Sequence, residues 1–338
     1  MNEENKNIIE VKDLEVVFAV RSRRMKNVNR TGLLRAVDKV TLDIRKGETI
    51  AIVGESGCGK TTLGKAIAHI VEPTAGRIIF DGVDLSQLSK GQMQVMREKI
   101  QLIFQDPYES LNPRQNIYKT LMEPLTIHRK GLGEKEKKDI INRYLEAVGL
   151  HSMENVLERY PHHLSGGQRQ RLAIAAAMIL EPKVVIADEP VSMLDVSVRA
   201  EILNLMLDLQ KQKDLTYMFI THDLSLAWVI ADRTAVFYLG KMMEIGSADV
   251  IIHGCRHPYS KALVSVIPSM GAKDQQKYVL FGETPSPMNI PSGCRFHTRC
   301  WLYEKMGRPE ICREKEPEYK EVGEDHLVAC HFENESDK

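Results

Sequence analysis

The stretch GETIAIVGESGCGKTTLGKAIAHI, residues 47–70, constrains the fold more than any other part of this chain. It passes from a short β-rich segment through a glycine loop into a segment of helical period. Its centre, Gly54-Glu55-Ser56-Gly57-Cys58-Gly59-Lys60-Thr61, fits the pattern G-x-x-x-x-G-K-[ST] in the strand-to-helix context that the pattern requires. Glycines there let backbone N–H groups wrap a triphosphate at a helix N-terminus. Lys60 would reach the β- and γ-phosphates, and the Thr61 hydroxyl, with Thr62 beside it, would face Mg²⁺. Gly54, Ser56, Gly57, Cys58, Gly59, Lys60, Thr61 and Thr62 are therefore the expected phosphate-binding residues.

Around this loop the chain alternates strand and helix signals. GRIIFDGVDL reads as a hairpin turning at Asp81-Gly82. From about 106 to 165 the pattern is helical and charged, with GEKEKKDIINRYLEAVGL its clearest amphipathic helix, which implies an inserted helical subdomain. Strand signals return at VVIADE and LTYMFITHD, separated by a helix on which Ile202, Leu205, Met206 and Leu209 share one face. Alternating strands and helices imply a mainly parallel sheet and an α/β fold, and the glycine loop at 54–61 resembles that of the phosphate-loop NTPases, which implies their RecA-like version of it. After about residue 270 the pattern turns irregular and rich in Pro, Cys and Glu, which divides the chain into domains 1–270 and 271–338, the second a small cysteine-rich extension.

A hydrophobic content of 43% over 338 residues is enough for a substantial core. Lys+Arg and Asp+Glu balance at 46 each, so no net field gathers nucleic acid or anionic lipid. The start, MNEENKN, is acidic and polar, unlike a signal or transit peptide, and no apolar run approaches the roughly 18 residues of a membrane span. A cytoplasmic protein is expected, and its six cysteines then read as thiols or metal ligands rather than disulfides.

Two further features carry chemistry. Asp188 and Glu189 end a buried apolar strand, where adjacent carboxylates are costly unless they have a role. Asp188 would hold Mg²⁺ through water and Glu189 would orient and deprotonate an attacking water. Leu164-Ser165-Gly166-Gly167-Gln168 opens the helix RQRLAIAAAMIL and makes a second anion cradle about a hundred residues after the first.

LSGGQ following the phosphate loop resembles the ATP-binding cassette (ABC) ATPases. That resemblance implies two subunits paired head to tail, each ATP held between one subunit's phosphate loop and the signature of the other, formed here by Ser165, Gly166, Gly167 and Gln168. It also implies that Gln105 in IFQDP is the Q-loop residue and a Mg²⁺ ligand with Thr61 and Asp188, that Asp195 in SMLD belongs to the D-loop, and that His222 contacts the γ-phosphate. Phe18 is the candidate for stacking on adenine. Met193 stands where the family usually has Ala. The segments IFQDPYESLNPR, RYPHHLSGGQRQR, DEPVSMLDVSVRAEI and HPYSKALVSVIP are similar to those of oligopeptide/dipeptide importer ATPases. The implied partners are two membrane permease subunits, a paralogous ATPase or a second copy, and indirectly an extracytoplasmic binding protein, at the cytoplasmic face of the membrane. Peptides are the family's usual substrate, with oligosaccharides and nickel as alternatives. A soluble ABC ATPase of DNA or ribosome metabolism is the competing reading, but its usual coiled-coil or zinc insertions and tandem cassettes are missing from this sequence. An exporter ATPase would match the core motifs equally well but not the cysteine tail. The basic segment RSRRMKNVNRTGLLR reads as a solvated loop, or as a contact to phosphates, lipid headgroups or the permease.

Cys294, Cys300, Cys312 and Cys330 have spacings unlike the paired C-x₂-C knuckles of most structural zinc sites. The resemblance implies that they ligate a 4Fe-4S cluster, with zinc as the alternative and His297 and His331 as substitute ligands in that case. Cys255 falls outside the spacing and reads as a buried thiol.

Overall fold

The computed structural model describes residues 7–21, 31–267, 278, 280 and 282–336. They fall into two compact units, one of Asn7–Ile44, Thr49–Val83 and the chain from Ile220 on, the other of Arg45–Glu48 and Asp84–Phe219.

In the first unit, β1 (Asn7–Arg21) lies between β2 (Thr31–Arg45) and β4 (Ala75–Phe80). The β1–β4 register shifts between Lys12 and Glu15, where Asp13 has φ 47°. The extra residue switches the inward set from Ile9 and Val11 to Leu14 and Val16, all buried, as a one-residue bulge must. β4 turns into β5 (Val83–Asp84) through Asp81 (φ 49°) and Gly82 (φ 80°), the two-residue turn whose twist suits a hairpin.

The same unit carries β3 (Thr49–Val53) and α1 (Lys60–Ile67), then α8 (Leu224–Ile230), β9 (Arg233–Tyr238), β10 (Lys241–Ser247), α9 (Ala248–Gly254) and α10 (Pro258–Val264). β3 pairs parallel with β9 and β9 antiparallel with β10. Beyond residue 282 come α11 (Trp301–Lys305), α12 (Ile311–Glu314), β11 (Lys320–Gly323) and β12 (His326–Val328). β12 pairs antiparallel with β10, so this segment extends a sheet begun before residue 270. Cys294 and Phe296 join a core with Val53, Tyr238 and Tyr259.

The second unit holds α2 (Lys90–Lys99), β6 (Ile100–Ile103), the helices α3 (Pro107–Ser110), α4 (Ile117–His128), α5 (Glu134–Ala147) and α6 (Gly166–Met178), then β7 (Val184–Asp188) and α7 (Val196–Lys213). β6 and β7 are parallel. Over 106–165, where an inserted helical subdomain is expected, the chain forms α3 to α5 and short 3₁₀ turns. On α7, Ile202, Met206 and Leu209 are buried while Leu205 is half-buried at the edge of the face. β8 (Thr216–Thr221), wholly buried, carries the chain back to the first unit. Among the described residues no helix is long and apolar enough to cross a membrane.

Candidate nucleotide-binding site

β3 is buried at all five residues and delivers the phosphate loop to the start of α1. A side chain could not replace hydrogen at Gly54 or Gly59. Their φ values are 153° and 107°, and an added Cβ would lie 2.2 Å from the Phe237 carbonyl oxygen or 2.0 Å from that of Ala36. Lys60 is only 5% exposed, and its Nζ donates to the carbonyl oxygens of Gly54 (2.7 Å) and Glu55 (2.9 Å). The Glu55 N–H donates to the Tyr259 hydroxyl at 3.0 Å and the Gly240 N–H donates to the Cys58 carbonyl at 2.7 Å, so the loop is tied down at two points. Ser56, Gly57 and Thr61 are exposed and Thr62 is half-buried. The Cys58 thiol is buried, and burial pushes it up despite the neighbouring Lys60.

In the second unit, Asp188 is buried at the end of β7. Glu189 follows at φ 45°, a left-handed backbone that non-glycine residues rarely adopt and that is characteristic of functional sites. Its Oε2 accepts a hydrogen bond of 2.9 Å from Gln105 Nε2, which unites the expected water-activating carboxylate with the expected Q-loop residue. Ser165 caps α6 reciprocally with Gln168: the Gln168 N–H donates to Ser165 Oγ at 3.3 Å and the Ser165 N–H to Gln168 Oε1 at 2.9 Å. Ser165 and Gly166 are exposed. Gly167 packs on α7, where an added Cβ would come within 2.6 Å of Val198 Cγ1. Arg169 stacks on the Tyr108 ring at 4.1 Å. Asp195 is the exposed residue preceding α7, and Met193 is 63% exposed.

His222, in the first unit, is exposed just after β8. Phe18 is 40% exposed on β1, so it is not a core phenylalanine. Residues 22–30 of the basic segment lie outside the described residues. Tyr259 and the turn at Leu239-Gly240 belong to the loop's support and escaped the sequence reading. HPYS was visible as a segment, but nothing in it pointed to a loop two hundred residues earlier.

Cys255 is buried. The Cys294 N–H donates to the Cys312 carbonyl at 2.9 Å. Burial pushes the thiols of Cys294, Cys300 and Cys330 up to about 12, with smaller effects from one another and from Cys312. The Cys312 thiol is raised by burial as well. Among the described residues no three His, Cys, Asp or Glu side chains are gathered tightly enough to hold a metal ion. His297 Nδ1 meets the Cys294 carbonyl and His331 Nε2 the Lys315 carbonyl.

Residues 37–192 match the family described as ABC transporter, and residues 243–306 the family described as oligopeptide/dipeptide transporter, C-terminal region. Over 329 residues, 96% of this chain and 97% of the relative, the chain is 45% identical to the oligopeptide transport ATP-binding protein AppF of Bacillus subtilis (strain 168). The chain belongs to the ATP-binding subunits of oligopeptide/dipeptide ABC transporters. This ABC transporter ATPase is also 46% identical over 298 residues to the dipeptide transport ATP-binding protein DppF of Haemophilus influenzae, covering 88% of this chain and 89% of that one. Among solved structures, cbiO1 from Clostridium perfringens, part of the ABC transporter complex cbiONQ, matches with TM-score 0.61 at 28% identity, over 73% of this chain and 91% of that one. The ATP-binding cassette MJ0796, dimeric in a post-hydrolysis state bound to ADP and Pi, matches with TM-score 0.62 at 26% identity, over 71% of this chain and 98% of that one.

Proposed function

We propose that this ATPase, which energises oligopeptide or dipeptide import through an ABC transporter, does so by closing head to tail on a second ATPase subunit, a paralogue or another copy. The carrying observation is the exposed start of α6. Its capping box satisfies Ser165 and Gln168 internally, while Gly166 faces outward as a cradle available to another subunit's nucleotide. In this reading the phosphate loop and Lys60 hold the β- and γ-phosphates, and Phe18 stacks on the adenine. Thr61, Gln105 and Asp188 would hold Mg²⁺, which supplies charge neutralisation to the developing phosphate. Glu189 takes the proton of the attacking water, oriented by Gln105, and His222 contacts the γ-phosphate. Asp195 lies at the seam between subunits. Two permease subunits at the cytoplasmic face of the membrane are the partners, and an extracytoplasmic binding protein delivers the peptide. The test is Lys60→Ala in the reconstituted transporter, which is expected to abolish ATP hydrolysis. Wild-type turnover in that variant would refute the phosphate-loop assignment.

The four tail cysteines are proposed to hold a 4Fe-4S cluster, which would supply a covalent cross-link to the segment rather than electrons for ATP hydrolysis. What supports this reading is that the Cys294, Cys300 and Cys330 thiols are each influenced by two others of the four, although among the described residues no three His, Cys, Asp or Glu side chains are grouped to hold a metal ion. Protein purified without oxygen should be brown and carry roughly four irons per chain, and Cys300→Ser should bleach it. Colourless anaerobic protein would refute the cluster.

A further inference from the structure

We propose that the segment CRFHTRC, residues 294–300, is a clamp on the phosphate loop and that Arg299 is the positioning residue within it, acting through Glu55 on the amides and lysine that hold ATP. The proposal rests on the reading of that loop as the ATP site. Arg299, only 7% exposed in its side chain, makes a two-pronged contact with Glu55, Nη1 to Oε2 at 2.8 Å and Nη2 to Oε1 at 3.1 Å. The Thr284 hydroxyl donates to the same Glu55 Oε2, and Arg299 Nη1 also reaches the Tyr238 hydroxyl at 3.4 Å. Forked pairing of this kind fixes direction as well as distance.

Glu55 is well placed to pass that constraint on. Its carbonyl accepts from Lys60 Nζ and its N–H donates to Tyr259, so a displaced Glu55 moves the lysine's anchor and the loop's first amides together. The other end of the segment holds the other half of the loop. Buried Arg295 donates to the Leu239 carbonyl and to Asp38, and the next residue after Leu239, Gly240, donates its N–H to the Cys58 carbonyl at 2.7 Å. Between the two arginines, Phe296 packs edge-on to Tyr238 at 5.4 Å and tilted on Tyr259 at 5.2 Å, beneath the strand end at Val53. A buried guanidinium that loses its carboxylate is left uncompensated, which makes release of the clamp costly. Holding the loop in a single shape lowers the ordering cost of binding and should appear as ATP affinity.

The experiment measures KM for ATP and kcat in the reconstituted transporter for wild type, Arg299→Lys, Glu55→Gln, the double variant and Arg308→Ala. Arg308 serves as control because its pair with Glu304, in the same segment, is solvent-exposed. Each single clamp variant should raise KM about tenfold with kcat held within about threefold, the pattern of lost binding rather than lost chemistry. The double variant should be no worse than either single, since both break one link, and Arg308→Ala should leave KM unchanged. Unchanged KM in the singles, a multiplied effect in the double, or a lowered melting temperature without a KM change would each overturn the clamp while leaving the ATP reading intact. Absence of ATP turnover in the wild type would overturn both.

Discussion

Glu55 illustrates how far a single residue's surroundings decide its part. Burial alone would raise its carboxyl. The hydrogen bonds from Arg299 and Thr284 and the charges of Arg299 and Lys60 outweigh burial and hold it below the ordinary glutamate value. A carboxylate whose folded pKa is depressed contributes stability above its unfolded pKa and loses it as pH falls through the folded one. Wild type should therefore melt at a higher temperature than Glu55→Gln at neutral pH, and the gap should narrow as pH falls below about 4.3, the unperturbed glutamate value. A gap that persists undiminished to lower pH would show that the Arg299 link is not the source. From the sequence, Glu55 was an unremarkable variable position in the glycine loop, and Arg299 one more charge near a cysteine. Nothing local joins two residues 244 positions apart, because a buried arginine's partner is chosen by the fold.

At the scale of elements, legibility followed how local the cause is. The strand-loop-helix at residues 49–67 was readable because glycine spacing and alternation of β-rich and helical periods are short-range signals. The hairpin at Asp81-Gly82 was readable for the same reason. The β1 bulge at Asp13 was not, since it is set by pairing with a strand more than sixty residues away. Nor was the pairing of β12 with β10, which makes residues after 282 share a sheet with those before 270, because a three-residue strand has too little pattern to be read alone. The junction of α6 and α7 gives a contrast to test. Gly166→Ala meets Leu194 at an ordinary 3.6 Å, whereas Gly167→Ala would press to 2.6 Å on Val198, a stiff β-branched neighbour. Urea unfolding should place Gly166→Ala within about 0.5 kcal/mol of wild type and Gly167→Ala about 1–3 kcal/mol below it. Equal stability of the two variants would contradict the close helix packing.

For the whole molecule, the family and activity were legible because several motifs converge on one chemistry: the phosphate loop, the strand-end carboxylates, LSGGQ and the histidine after β8. The part that the tail's arginines play was not legible, because the partners of Arg295 and Arg299 lie more than two hundred residues earlier in the chain. The structure adds that Gln105 is already bonded to Glu189, whose left-handed backbone aims a carboxylate from the end of a buried strand. Glu189 as the base that activates water is the centre of the account. The most direct measurement is ATP binding and hydrolysis by Glu189→Gln in the assembled transporter, alongside the association state of its ATPase subunits. ATP binding should remain near wild type, hydrolysis should fall on the order of 10²–10⁴-fold, and the closed pair of ATPase subunits should accumulate with ATP bound. Hydrolysis at a near-normal rate in that variant would show that another group activates the water.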